Sequence, residues 1–366
     1  MPRQLKIAVI FLTAAIGVLL LAVVAYVLYV YLQYYRIDDG QILTVSSEKT
    51  DTIRTGKTYS VMTYNIGFGA YGPDFSFFMD SGVMDTGEKK TGRYGKAIDR
   101  QSVTDNIAGS VAAVRAADCD FVLLQEVDSD GSRSYHVDQV AAFTQNSAYA
   151  SVYAVNFHTA YLFWPLNDPH GKNESGILTL TKYAVSSAVR RSYPVSTSFD
   201  KFFDLDRCFS VTYLPVSDSD RQLVLVNSHV SAYDEGGTIR AQQLAMLNTF
   251  MAAEREKGNY VIVGGDFNHD IALSDGLFPS RQQHPDWVFS LTDADLPEGF
   301  RFAVAVNAPT CRAAEIPYEK GVNYTVVVDG FIVSDNVDTV AVENIDLDFQ
   351  YSDHNPAVMQ FVLKAE

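Results

Sequence analysis

YVIVGGDFNHD, residues 260–270, decides how the chain is read. Tyr260 to Val263 form a short apolar run rich in β-branched residues, the pattern of a buried strand. The run ends abruptly in Gly264 and Gly265, whose conformational freedom predicts a sharp turn. Asp266 and Asn268, two residues apart, can then point at one ligand. Runs of the same kind recur on both sides. VMTYNIGFG (61–69) ends at Asn65, and FVLLQEVD (121–128) places Glu126 after four apolar residues and Gln125. LVLVNSHVSAY (223–233) sets Asn227 and His229 on the same side of a strand by alternation. VVVDGFIVS (326–334) holds Asp329 inside an apolar run, where a carboxylate is costly unless paired. YSDHNP (351–356) brings Asp353 and His354 just ahead of a last run, PAVMQFVL (356–363). Singly, each has a plain structural explanation: a solvated strand end, a hydrogen-bonded histidine, a turn.

Further runs, ILTLTKYAV (177–185) and FSVTYLPV (209–216), add strands, and two helices interrupt the series. In 102–117, Val103, Ile107, Val111 and Val114 share a face, with Ser102 as the expected N-cap. In 238–257, Ile239, Leu244, Leu247 and Phe250 do the same, and Gly258 stops the run. Many strands with interspersed helices predict an α/β sandwich, sheets inside and helices outside. Gly67, Gly69 and Gly72 spell G-x-G-x-x-G, but PDFSFFMDSG follows where a dinucleotide fingerprint needs a helix.

The strand ends TYNI, QEVD, NSH, GGDFN, VDGFIVS and SDHNP, in that order, resemble the endonuclease/exonuclease/phosphatase superfamily. The resemblance runs from about Tyr59 to the C-terminus and implies a four-layered α/β sandwich that hydrolyses phosphoesters. It implies Glu126 as principal ligand of Mg²⁺, with Mn²⁺ the alternative, Asn65 supporting it and Asp353 joining. It also implies that Asp266 positions or activates the attacking water and that Asn268 donates to the phosphate. His229 would stabilise the phosphoryl oxygens, and Asp329 would orient His354, whose ordinary near-neutral pKa suits proton transfer. Arg133, Tyr135 and His136 lie in the loop after the Glu126 strand and are expected at the substrate. VDGF departs from relatives with an aromatic residue or Arg after the Asp, and the tyrosine motif of abasic-site nucleases is missing. Both departures bear on the substrate rather than the reaction.

The first 36 residues are different. From Ile7 to Leu32 the chain is almost wholly apolar, longer than the roughly 20 residues that cross a bilayer. Tyr26, Tyr29, Tyr31, Tyr34 and Tyr35 gather at its far end as an interfacial belt would. Arg3 and Lys6 before it, and Asp38 and Asp39 after it, predict a signal anchor with a cytoplasmic N-terminus and an extracytoplasmic body. The alternative is a cleaved signal peptide, with Ala22 and Ala25 near the apolar end. Residues 1–36 therefore divide off as tip and transmembrane helix, 37–58 as a polar juxtamembrane stalk, and 59–366 as one catalytic domain.

The whole chain carries 28 basic and 44 acidic residues among 366. Arg3, Lys6 and Arg36 fall in the first 36, so the body holds 25 bases against 44 acids, a net charge of −19. That disfavours long nucleic acids without a basic groove and favours a phospholipid headgroup or small phosphoester. A surface nuclease and a catalytically inactive receptor module are the alternatives. Cys119, Cys208 and Cys311 are too few for a disulfide framework or a Cys-rich zinc module. Asn173 and Asn323 begin glycosylation sequons. The 69–100 segment fits a lid, a membrane-facing loop or a decoration.

Overall fold

The computed structural model describes residues 2–145, 147–202, 204–232 and 237–365. Two sheets face each other. One runs, edge to edge, through Val337–Asn344, Ala357–Leu363, Thr58–Asn65, Phe121–Gly131, Asn173–Thr181 and Ala150–His158. The other runs through Gln41–Ile42, Ser187–Ser192, Cys208–Pro215, Gln222–His229, Tyr260–Asp266, Asp329–Ser334 and Phe300–Ala303. Each sheet is antiparallel except for one central parallel pair: Thr58–Asn65 with Phe121–Gly131, and Gln222–His229 with Tyr260–Asp266.

Period-two alternation builds the layers. Val61, Phe121, Leu123, Leu223, Leu225, Tyr260 and Ile262 point between the sheets and form a fully buried core with Phe331, Met359 and Phe361. Met62, Val122 and Leu124 point the other way, against Val103, Ile107 and Val114 of the Arg100–Ala117 helix. Val224, Val226, Val261 and Val263 likewise cover Leu247 and Met251 of the Thr238–Glu256 helix. The result is helix, sheet, sheet, helix. A parallel pair needs a long crossover, and these helices are the crossovers, so both pairs send their C-terminal ends to one edge of the sandwich.

Three local expectations are corrected. Asp99, not Ser102, is the N-cap of the first crossover helix; Ser102 is its N3 partner in a capping box. In the second helix the buried face is Arg240, Gln243, Leu247, Met251 and Glu254, while Ile239, Leu244 and Phe250 are only half-buried. Polar partners carry that face: Gln243 accepts from the Ser231 amide and donates to the Pro194 carbonyl, and Glu254 accepts from Asn259. Gly264 is needed for closeness rather than for turning, since a Cβ there would sit 2.6 Å from Leu123 Cδ1.

The polar segment 37–58 is no free stalk. Gln41–Ile42 pair with the edge strand at Arg190 and Val189, Ile53 is fully buried beside Val216, and Asp39 meets Arg191 at 2.9 Å. Ahead of it stands one helix, Arg3–Gln33, long and apolar enough to cross a membrane, with side chains mostly exposed. The sequons are structural: Asn173 and Asn323 are buried, and their amides donate to the carbonyls of His170 and Ala313.

Asn227 ties the sheets together next to that edge. Its amide nitrogen donates to the Leu124 and Leu178 carbonyls, and its oxygen accepts from Gln125 Nε2 at 2.8 Å. Replacing Asn227 with Ala removes the side-chain donor from two buried carbonyls and one acceptor from Gln125, which keeps Thr63 and the Leu123 carbonyl, so urea denaturation should show a loss of about 2–3 kcal/mol. A loss within ~0.5 kcal/mol, the range of an ordinary surface change, would mean the link is dispensable.

Candidate active site

The cleft forms where the two parallel pairs end. Asn65 closes the first strand of one pair, and Glu126 follows the ladder of the second. The ladder slips between Leu124 and Val127, leaving Gln125 and Glu126 as a bulge. Glu126 there has φ of 54°, left-handed for a residue with a Cβ. Such strain costs on the order of 1–3 kcal/mol and persists only where the surroundings impose it. Here it turns the carboxylate across the sheet edge toward the second pair, which delivers His229 and Asp266 side by side in register.

Asp266 is the hub. Its Oδ2 accepts from Asn65 Nδ2 at 3.0 Å, and its Oδ1 accepts from the Asn268 backbone N–H at 2.8 Å. His229 Nε2 lies 3.5 Å from that same Oδ2 and 3.9 Å from Glu126 Oε1. His354 Nε2 approaches it to 3.7 Å, while its Nδ1 meets Asp329 Oδ2 at 2.7 Å. Asp329 reaches this point because its strand pairs with Tyr260–Asp266, placing Asp329 opposite Asp266. Thr310 Oγ1 accepts from the Asp329 amide and holds the strand end.

The titration behaviour follows from burial and from which charges are neighbours. Burial works against an ionised Asp266, yet His354, His229 and the Asn65 and Asn268 donors hold its carboxyl below the usual range. Burial pushes Asp329 up to about 6, still ionised at neutral pH. Burial opposes charge on His354 as well, but Asp329, Cys311 and Asp266 outweigh it and raise the imidazole well above its ordinary value. His354 is therefore an imidazolium at pH 7, not the near-neutral titrant its type suggests. His229 goes the other way: burial, with Arg207 nearby, lowers it to about 3 and keeps it neutral.

Glu126 and Asp353 are the other two carboxylates of the cleft. Burial, then the repulsion of Asp353, lifts Glu126 to about 7, although about a quarter (24%) of its side chain is exposed. Burial raises Asp353 too, against the pull of His354 and Arg312. Two neighbouring hard carboxylates whose charge burial disfavours could hold a Mg²⁺-type ion, which takes few protein oxygens and keeps water. Asn65 fits the ligand expectation less well. Its Oδ1 accepts from the Gly67 amide and its Nδ2 faces both Glu126 and Asp266, so it orients carboxylates rather than offering oxygen. Asp266, Asp329 and His354 also lie within 4.8 Å of one another. Two of these three residues, Asp329 and His354, are already hydrogen-bonded to each other.

Of the other expected residues, Asn268 arrives in a left-handed turn (φ 47°) with its amide donating to the Val230 carbonyl at 3.0 Å. The three residues of the Arg133 cluster do not converge on one point. Arg133 is buried in a bidentate pair with Asp128 (2.8 and 3.1 Å), its guanidinium 3.7 Å from the Phe68 ring centre. Tyr135 donates to the Ile98 carbonyl, and His136 is exposed and paired with Asp130. The tight 131–136 turn aims these three side chains in different directions.

Sequence reasoning missed Arg312, Cys311 and Ser352. Fully buried Arg312 donates to the Tyr71 and Gly72 carbonyls and sets a positive charge beside Asp353. Cys311 bridges backbone to backbone with His354. Ser352 Oγ donates to the Asn65 carbonyl at 2.9 Å. Cys311 and Arg312 lie outside every strand-end pattern, so the chain offered no local signal for them; Ser352 lies within SDHNP, where its neighbours Asp353 and His354 drew the reading.

A family profile described as Endonuclease/Exonuclease/phosphatase matches residues 62–354. The chain belongs to that family. Membership agrees with the sandwich and with a cleft at the C-terminal ends of the parallel pairs. No curated protein matches the chain by sequence. Among solved structures, an endonuclease/exonuclease/phosphatase from Beutenbergia cavernae DSM 12333 is similar at 16% identity and TM-score 0.53, over 84% of this chain and 72% of that one. ANGEL2, a 2',3'-cyclic phosphatase solved with adenosine-2',3'-vanadate, aligns at 14% identity and TM-score 0.54, over 90% of this chain and all (100%) of that one. Truncated Caenorhabditis elegans TDP2 aligns at 16% identity and TM-score 0.50, over 84% and 98%. At these identities the likeness is one of fold.

The sign of one pH effect is set by Glu126. Its folded value, about 7, exceeds its ordinary 4.5, so the cation-free protein binds the extra proton between them. Stability should fall as pH rises through that window, and Mg²⁺ should restore it, because a cation needs the ionised carboxylate. Thermal melts of Glu126→Gln should show a flatter pH profile and no Mg²⁺-dependent gain in Tm. A full gain in that variant would remove Glu126 from the cation site.

Proposed function

We propose that this protein is a membrane-anchored phosphoesterase, with residues 59–366 as its extracytoplasmic catalytic domain and Glu126 and Asp353 holding Mg²⁺ or Mn²⁺. The observation that carries this reading is the meeting of Asn65, His229 and His354 around the one Asp266 carboxylate, with Glu126 beside them. When bound, the cation supplies Lewis-acid stabilisation of a phosphoryl oxygen. Asp266, ionised and aimed by Asn65 and the Asn268 amide, orients the attacking water and accepts its proton. The 3.5 and 3.7 Å separations from Asp266 leave the Nε2–H groups of His229 and His354 available to phosphoryl oxygens. His354 brings full positive charge, and Asp329 keeps it there.

The favoured substrate is a phospholipid headgroup or another small phosphoester. The body's charge of −19 supports that choice, as does the apolar N-terminal helix. ANGEL2, of the same fold, binds a nucleoside-sized cyclic phosphate analogue. A nuclease is the second reading, favoured by the family itself. Full-length protein assayed on sphingomyelin-type lipid and on plasmid DNA, in Mg²⁺ and in EDTA, separates them. Lipid turnover lost in EDTA and in Glu126→Ala is expected. DNA cleavage lost in the same way would reverse the order.

His354→Ala and Asp266→Ala should each lower kcat by about a thousandfold or more with the fold retained by circular dichroism. Near-normal turnover in either removes its assignment. Asp329→Asn should lower the His354 pKa, so imidazolium is lost as pH rises. Its rate deficit should then be larger at pH 8 than at pH 6, and a pH-independent deficit would make Asp329 a purely structural partner.

A further inference from the structure

The longest run of exposed apolar side chains on the catalytic body lies in the 159–171 connection: Tyr161, Phe163, Trp164 and Leu166, with Trp164 65% and Leu166 76% exposed. A soluble surface seldom groups such residues without an occupant. The connection is also built rather than loose. Leu162 and Gly171 exchange both backbone hydrogen bonds at 3.0 Å, closing its base. Asp168 accepts from the Gly95 amide, and buried His170 bonds the Gly95 carbonyl at 2.6 Å. The 69–100 segment thus buttresses it through Gly95.

Its outer end touches the apolar N-terminal helix. Tyr26 Oη donates to the Tyr161 carbonyl and accepts from the Phe163 amide, and Tyr29 Oη accepts from the Tyr161 amide. The Tyr26 and Phe163 rings meet edge to face at 5.2 Å. Depth follows from helix geometry: nineteen steps of ~1.5 Å separate Ile7 from Tyr26, about 29 Å, which matches a hydrocarbon core of ~30 Å. A helix entering the bilayer at Ile7 therefore brings Tyr26 to the opposite interface, and the hairpin with it. On another part of the helix, Phe202 packs against Tyr31 and Tyr34, with the Lys201 ammonium 5.3 Å from the Tyr34 ring centre. An amine among aromatic rings is the usual composition of the headgroup level.

We infer that the 159–171 hairpin is a bilayer-docking element, seating Phe163, Trp164 and Leu166 in the phospholipid interface beside the anchor. The inference rests on the anchored reading above. Docking holds the body at one tilt, and the hairpin's base is tied to the Glu126 strand. Ser132 donates its amide to the Lys172 carbonyl, and Asn173 Oδ1 accepts the Arg133 amide. One wall of the cleft is thereby fixed relative to the lipid surface.

Trp164 and Trp287 are the two tryptophans of the chain, so Trp287→Phe isolates the reporter. The full chain in phosphatidylcholine nanodiscs should lose about half or more of its Trp164 emission when the acyl chains are brominated, and aqueous iodide should leave it unchanged. If Trp287→Phe does not fold, subtracting the Trp164→Phe spectrum from that of the native chain gives the same quantity. Iodide quenching of Trp164 without bromine quenching overturns the docking. A second reporter, Leu19→Trp in a background with both native tryptophans replaced by Phe, keeps the two failures apart. Bromine quenching at position 19 but not at 164 sinks the docking alone, whereas no quenching at 19 sinks the anchored reading and the docking together.

Discussion

Four carboxylates, Asp266, Asp329, Asp353 and Glu126, are crowded at one edge of the sandwich with a single imidazolium to balance them. That imbalance governs everything around it. In a low-dielectric cleft like charges cannot all ionise, so some protonate, one is locked against His354, and the remainder make an electronegative pocket. Arg312 and Arg133, both buried, stand behind the pocket as fixed positive charges. Bound protons relieve that crowding, and under the proposed function a divalent cation would do the same.

The sandwich exists to bring those groups together. One parallel pair per sheet, each closed by its own crossover helix, gives four strand ends that face each other across the inter-sheet core. Glycine at 264 lets the sheets approach closely enough for the ends to meet, and Asn227 joins them through hydrogen bonds that a purely apolar layer could not direct. The bulge at Glu126 then makes the last adjustment, trading backbone strain for a carboxylate aimed across the gap.

How far this was legible from sequence depended on whether a residue's surroundings were local. Strands, crossover helices and strand-end residues were readable, because alternation and abrupt polar endings are properties of short stretches. The face of the second crossover helix was misjudged, since Gln243 and Glu254 are buried by partners distant in sequence. His354 was legible as a site residue but not as an imidazolium, which requires knowing that Asp329 and Asp266 flank it. Arg133 sat in a suggestive loop yet faces inward to Asp128. The segment 37–58 looked like a linker because it is polar, while its backbone pairing leaves no mark on composition.

That last segment also sets how the body can move and be released. Ile37 and Arg36 are held by Asp206, Gln41–Ile42 extend a sheet, and Ile53 is sunk beside Val216. No slack leash joins the helix to the body, so the body cannot swivel freely on it. Proteolytic shedding is hindered for the same reason: a single cut between 47 and 50 leaves both new ends clasped by the sandwich, and freeing the body requires peeling away an edge strand.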